Sequence, residues 1–192
     1  MASQKETVQS ITSASLKVGE SLALYPDLVW AHDYWDTKRA NRIAPRRRDI
    51  DPLEMPSILP RILLTDVIEG SDGIDFRYRL SGTGICNVHG KELTALRPRD
   101  LSPAAYGELI HGHYLDACRR RAPRADVIIL QTDQRSRSYA RLLLPLSDDG
   151  ETINKLMAVD SETQNDLQEF LSVVEGLRCD EVHPRMRLVR GT

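Results

Sequence analysis

Cys86 and His89 stand three residues apart in GICNVHG, and His111 and His113 two apart in IHGHYL, so metal binding is the first chemistry to weigh. A zinc site takes about four nitrogen or sulfur ligands. Cys86 and His89 supply two, and no second pair is visible in the sequence. A polar wall or plain packing is the expectation for them, and no metal ligand is assigned. At about 100° per residue along a helix, His111 and His113 point to nearly opposite sides and do not act as a pair. Asp66, Asp75 and Tyr78 are the candidates for an isolated acid or a tyrosine–acid pair, with Asp75 expected to be exposed by its turn. The cations Lys38, Arg39, Arg42, Arg46, Arg47 and Arg48 are interleaved with Asp33, Asp36, Asp49 and Asp51. That pattern predicts a compensated field and solvated ion pairs. No nucleophile elbow, P-loop or paired catalytic carboxylates occur, and Gly82-x-Gly84 opens no dinucleotide fingerprint. No catalytic residue is assigned.

Composition narrows the setting. The 192 residues are 41% hydrophobic and 28% charged, which is ordinary for a globular domain. A formal net charge of −2 gives no overall attraction to nucleic acid or an anionic membrane. No apolar run approaches the roughly 18–20 residues that span a bilayer, and MASQKETVQSITSAS lacks a signal-peptide core. Cys86, Cys118 and Cys179 are odd in number and form no CxxC pair. A cytoplasmic protein without nucleic-acid partner or membrane insertion is expected.

The elements that must position these residues follow from pattern. Residues 1–26 are expected to be mobile, being Ser/Thr/Gln-rich at their start. A helix capped by Asp27 carries both tryptophans, Trp30 and Trp35, and leads into a connector with prolines at 45, 52, 56 and 60; together they span 27–61. The core is expected over 62–160. ILLTDVIEG and DFRYRLSG form a hairpin about GSDG, with Phe76, Tyr78 and Leu80 on the buried face. A longer helix, capped by Ser102, has the stripe Tyr106, Leu109, Ile110, His113 and Ala117. Gly107 and Gly112 within it suggest close approach of a neighbour. ADVIILQT, SYARLLLPL and INKLMAVD add three strands. An amphipathic helix over 161–178 and a basic tail over 179–192 close the chain. The fold class is α+β, with an antiparallel sheet of about five strands, a helical crossover on one face and flanking helices at both ends.

Short motifs thread this order: Trp35-Asp-x-Lys-Arg39, Pro45-Arg46 followed by Asp49-Ile-Asp51-Pro52, Leu59-Pro60, Phe76-Arg-Tyr-Arg-Leu-x-Gly-Thr83, Gly90-Lys-Glu-Leu-Thr94 and Leu143-Leu-Pro-Leu-Ser-x-Asp-Gly150. In this order and spacing the chain resembles a PAS domain, in particular the single-domain PAS-like proteins common in alphaproteobacteria. One position departs from that pattern: Ala95 stands where a glycine usually follows the Leu-Thr. A left-handed backbone there would cost an alanine about 1 kcal/mol, so the loop is expected to differ.

The resemblance implies a non-enzymatic sensory or protein-interaction module in bacterial signal transduction. It implies a pocket between sheet and helices for a small ligand, with Tyr78, Cys86, His89, Tyr106, Ile110, His113, Leu130 and Met157 as its candidate lining. No kinase, cyclase or DNA-binding segment is recognisable, so a signal is expected to leave through a partner protein or a homodimer. His111 and His113 lie on the element that supplies the haem ligand in haem-binding PAS proteins, which makes a haem on His113 one alternative. The order Cys86-Asn87-Val88-His89 lacks the Asn-Cys-Arg-Phe run of the light-sensing flavin branch. An isomerase- or hydratase-like enzyme with a sheet-lined apolar pocket is the other alternative.

Overall fold

A computed structural model describes residues 8–71, 73–133 and 136–161. The expected helix over 161–178 and tail over 179–192 lie outside the described residues beyond Ser161. Among the described residues, six strands form one antiparallel sheet: β1 Val8–Leu16, β2 Ile62–Gly70, β3 Gly73–Ser81, β4 Arg124–Thr132, β5 Ser136–Leu146 and β6 Lys155–Asp160. Their order across the sheet is β1-β4-β5-β6-β2-β3. The α-helices are α1 Pro26–Arg39, α2 Thr83–His89 and α3 Ala104–Arg120.

β1 corrects the expectation of a mobile first segment and raises the sheet from five strands to six. Its serines made it read as solvent-seeking, yet the sheet consumes them. Ser13 pairs across from Ile128 and Ser15 from Asp126. Their hydroxyls reach His113 Nε2 at 3.1 Å and Asp126 Oδ1 at 2.9 Å.

α1 lies against β5 and β6 on one face of the sheet. Leu28, Ala31 and Trp35 are its buried side, and the Trp35 indole donates to the Pro145 carbonyl at 2.6 Å. Tyr25, not Asp27, occupies the cap position. Asp27 instead bonds Arg61 and Ser161, so its carboxylate holds the helix to the chain just before β2 and just after β6. α3 covers the opposite, inner face. Pro103 rather than Ser102 caps it, without a side-chain bond. A methyl group placed on Gly107 would lie 2.7 Å from the Pro98 carbonyl oxygen, so the helix meets the preceding turn there; the same group on Gly112 would meet nothing within 4 Å.

β3 shows why its expected alternation holds only in part. Thr65 pairs with Tyr78 and Leu64 with Leu80, leaving Arg79 as an extra residue in a bulge. Phe76 and Tyr78 stay buried, while Leu80 turns to the outer face and is 45% exposed. Ala95 adopts the left-handed conformation, φ +71°, despite its side chain. Its amide donates to Tyr78 O at 2.8 Å while the Tyr78 amide donates to Leu96 O at 2.9 Å. The loop therefore keeps the turn and carries the strain.

Candidate functional site

Residues directly opposed in an antiparallel sheet share a face. Arg141 on β5 opposes Asp126 on β4 and Asp160 on β6, and Tyr139 lies two residues away on the same face. Leu156 opposes Thr65, which opposes Tyr78. Over this inner face α3 lays Tyr106, Ile110 and Tyr114, each four residues from the next and all buried.

The result is a buried polar cluster inside an apolar core. The Arg141 side chain is 2% exposed. Its Nε and Nη2 donate to the two oxygens of Asp160 at 2.6 and 2.9 Å, and its guanidinium sits 5.2 Å from the Tyr139 ring centre. The Tyr106 and Tyr139 hydroxyls share a hydrogen bond of 2.5 Å. The Tyr78 and Tyr114 rings meet edge to face at 6.3 Å, and Phe76 meets Tyr114 in the same way at 5.4 Å.

Burial works against the Arg141 charge, but the facing Asp160 carboxylate outweighs it and holds the guanidinium pKa well above its ordinary value. Burial lifts the Tyr78 and Tyr139 phenols well above theirs and raises Tyr106 and Tyr114 as well. All four hydroxyls therefore stay protonated. Four polar atoms in this region, Arg141 Nη1, Tyr78 OH, Tyr114 OH and Thr65 Oγ1, are buried without a well-formed hydrogen bond, although Tyr114 lies within polar reach of both Tyr78 and Thr65, and Arg141 of Tyr106. Leaving such a group unsatisfied costs about 1–3 kcal/mol. The donors gathered here are a cationic N–H and hydroxyls that lie close to one another.

The expected lining residues divide. Tyr78 and Tyr106 belong to the cluster, Ile110 is a fully buried wall beside it, and the His89 ring lies 6.1 Å from Tyr106. Burial, then the Arg141 charge, lowers the His89 pKa. The other four are not brought there. Met157 opposes Leu144 and Leu64, one residue out of step with Asp160 and Ala158, and so packs on the outer face. Cys86 turns to Ser81 Oγ at 3.2 Å and Glu92 Oε2 at 3.4 Å. Leu130 shares the inner face but is half-buried between β1 and β5, opposed to Ile11 and Arg137.

His113 is the residue on which the haem alternative rests. Its Nε2 meets Ser13 Oγ at 3.1 Å, while its Nδ1 is buried without a hydrogen bond, 3.6 Å from Asp126 Oδ2, so the ring faces β1 and β4. The residues do not fit an iron there. Ser13, His113 and Asp126 follow the order of a catalytic triad, yet all three are buried. Ser13 sits mid-strand in β1, opposed by Ile128, and Arg124 grips Asp126 at 2.6 and 2.7 Å. The set is a tie between β1, α3 and β4. Asp75 is buried rather than exposed: it accepts from the Phe76 amide at 2.8 Å and from Arg97 Nη1 at 2.7 Å. Among the described residues, no three His, Cys, Asp or Glu side chains gather as metal ligands.

Arg141, Asp160, Tyr139, Tyr114 and Thr65 escaped the sequence reading. The signal was an arginine in SYARLLLPL two residues after a tyrosine and ahead of an apolar run, because a charge at a core position needs a buried partner.

No curated protein matches the chain. Among solved structures it is similar to the PAS domain of BvgS from Bordetella pertussis, at 16% identity and a TM-score of 0.45, over 67% of this chain and 100% of that one. A family model described as the PAS domain matches residues 26–159. With most of its length inside that match, the chain belongs to the PAS domain family.

Proposed function

We propose that this chain is a non-enzymatic sensory module that takes a small acceptor-bearing molecule between α3 and the inner sheet face and reports its presence to a partner protein or a second copy of itself. The observation that supports the reading is Arg141 Nη1, a charged donor buried without a well-formed hydrogen bond beside the Tyr78 and Tyr114 hydroxyls. Asp160 already balances the guanidinium charge, so the ligand is neutral or singly anionic. Protonated phenols and a paired guanidinium bind and orient rather than exchange protons near neutral pH, which supports the non-enzymatic reading.

The route outward is short. β5 and β6 carry Arg141 and Asp160 on the inner face and the bed for α1 on the outer one. A ligand that favours one packing of α3 on the sheet shifts the population felt at α1. On the far side of α1, Trp30 stacks on Tyr34 with ring centres 5.4 Å apart, and Leu53 is 87% exposed nearby; this aromatic and aliphatic surface suits a protein partner. Free Cys86 and Cys118 fit a reducing cytoplasm. Among the described residues no helix is long and apolar enough to cross a membrane.

Native mass spectrometry of the purified full chain, followed by denaturing extraction, tests the reading. A retained small molecule is expected, and the double variant Y78F/Y114F should fold yet lose it. A chain that carries nothing, and whose melting temperature no acceptor-bearing metabolite pool raises, would sink ligand sensing.

A further inference from the structure

The connector and the β5–β6 loop border a concave site on the outer side of the sheet. The Ser147 amide donates to Pro45 O at 3.0 Å and the Arg47 amide to Asp148 Oδ1 at 3.4 Å, which ties the two walls together. Between them lies an open groove of about 510 Å³ lined by Arg46, Arg47, Arg48, Asp148 and Lys155, a size within the range of small-molecule sites. Lys155 opposes Asp66 and Leu146, one step out of phase with Leu156. The groove and the buried tyrosine cluster thus lie on opposite faces.

The interleaved acids compensate the charge of this region only in part. Arg42 takes Asp49 at 2.8 Å, Arg39 takes Asp36 at 2.6 Å, Lys38 takes Glu54 at 2.7 Å and Lys155 takes Asp148 at 2.6 Å. Arg46, Arg47 and Arg48 form no ion pair among the described residues. Arg47 Nη1 donates to Ile50 O at 3.0 Å, and Arg46 Nε is buried with no partner at all. The four lining cations thus outnumber the one lining carboxylate, Asp148, with Asp49 acting on Arg46 from beside the groove.

We propose that this groove binds a small anion carrying two or more linked phosphates. A guanidinium matches phosphate oxygens with two parallel N–H donors, and three consecutive arginines can each take different oxygens of one diphosphate. A polymeric nucleic acid fits less well, because the chain as a whole is slightly acidic and no aromatic side chain lines the groove to stack on a base. The diphosphate is the recognised group, whether free or carried on a nucleoside. This site stands independently of what the tyrosine cluster holds.

Calorimetric titration of the full chain at low salt with inorganic pyrophosphate, and separately with a nucleoside diphosphate, tests it. Saturable binding of at least one is expected, weakened by added salt and about tenfold or more weaker in R47A/R48A. Binding of both assigns the diphosphate alone as the recognised group; binding of the nucleoside form only assigns the source to nucleotides. D148N removes the one lining carboxylate and frees Lys155, so it should bind severalfold tighter, a gain that misfolding cannot imitate. No saturable binding of either anion, unchanged affinity in R47A/R48A, or weaker binding in D148N overturns the proposal.

Discussion

Arg141 and Asp160 face each other directly across β5 and β6 and close two parallel hydrogen bonds of 2.6 and 2.9 Å inside the core. Their pairing makes a buried charge tolerable at the centre of an apolar domain. Removing one partner leaves the other uncompensated, so D160N should lower stability by about 3 kcal/mol. Replacing both with apolar residues of similar volume, R141M/D160L, should return stability to within about 1 kcal/mol of the natural chain. Urea unfolding of the three proteins checks the first half. Retention of small molecules in R141M/D160L checks the second: a stable double variant that still carries ligand would show that the pair is architectural only.

His113 makes stability depend on pH in a defined window. Burial is the main cause that lowers its pKa to about 4 from the ordinary 6.5, and the nearby Arg124 and Arg141 charges act in the same direction against Asp126 and Asp116. The folded state thus resists a proton that the unfolded chain accepts. Stability from this group is full above pH 6.5, falls as pH drops from 6.5 toward 4, and is gone below that, a loss of about 3 kcal/mol at most. His89 and His111, also lowered by burial, add to the same slope. Denaturation midpoints between pH 7 and 4.5 should fall steeply for the natural chain and less so for H113Q. Equal slopes would contradict the assignment.

The two glycines within α3 should respond oppositely to alanine. At Gly107 the new methyl group would lie 2.7 Å from a backbone oxygen, and forcing the helix off the Pro98–Asp100 turn should cost about 1–3 kcal/mol. At Gly112 the space is open, so G112A should gain up to about 1 kcal/mol from helix propensity. Thermal melts should show a drop for the first and a rise of about 2–4 °C for the second.

These contrasts show what could be read from one dimension. The order of strands and helices is written in local pattern, and the hairpin about residues 70–73 and the stripe of α3 follow from it. The inner face of the sheet is not. Whether Met157 or Ala158 looks inward depends on the register between β5 and β6, and a slip of one residue exchanges the faces. The bulge at Arg79 reverses Leu80 for the same reason. Arg141 was invisible because its partner Asp160 is 19 residues away, joined to it only by strand pairing. β1 was missed because serine content signals solvent until Ser13 and Ser15 are seen to meet His113 and Asp126.

Ala95 offers the sharpest local test. Its φ of +71° is one that an alanine adopts at a cost of about 1 kcal/mol or more, since its Cβ crowds the following carbonyl. Glycine carries no such penalty but loses more backbone freedom on folding. The strain term is the larger at a left-handed position, so A95G should stabilise the chain by up to about 1 kcal/mol and raise its melting temperature by about 2–4 °C. The strain is held by the paired bonds between Ala95, Leu96 and the Tyr78 backbone, which fix Tyr78 in the cluster. If that geometry serves ligand binding only through position, A95G should leave ligand retention intact while stability rises. A fall in melting temperature would mean that the loop does not hold the left-handed turn.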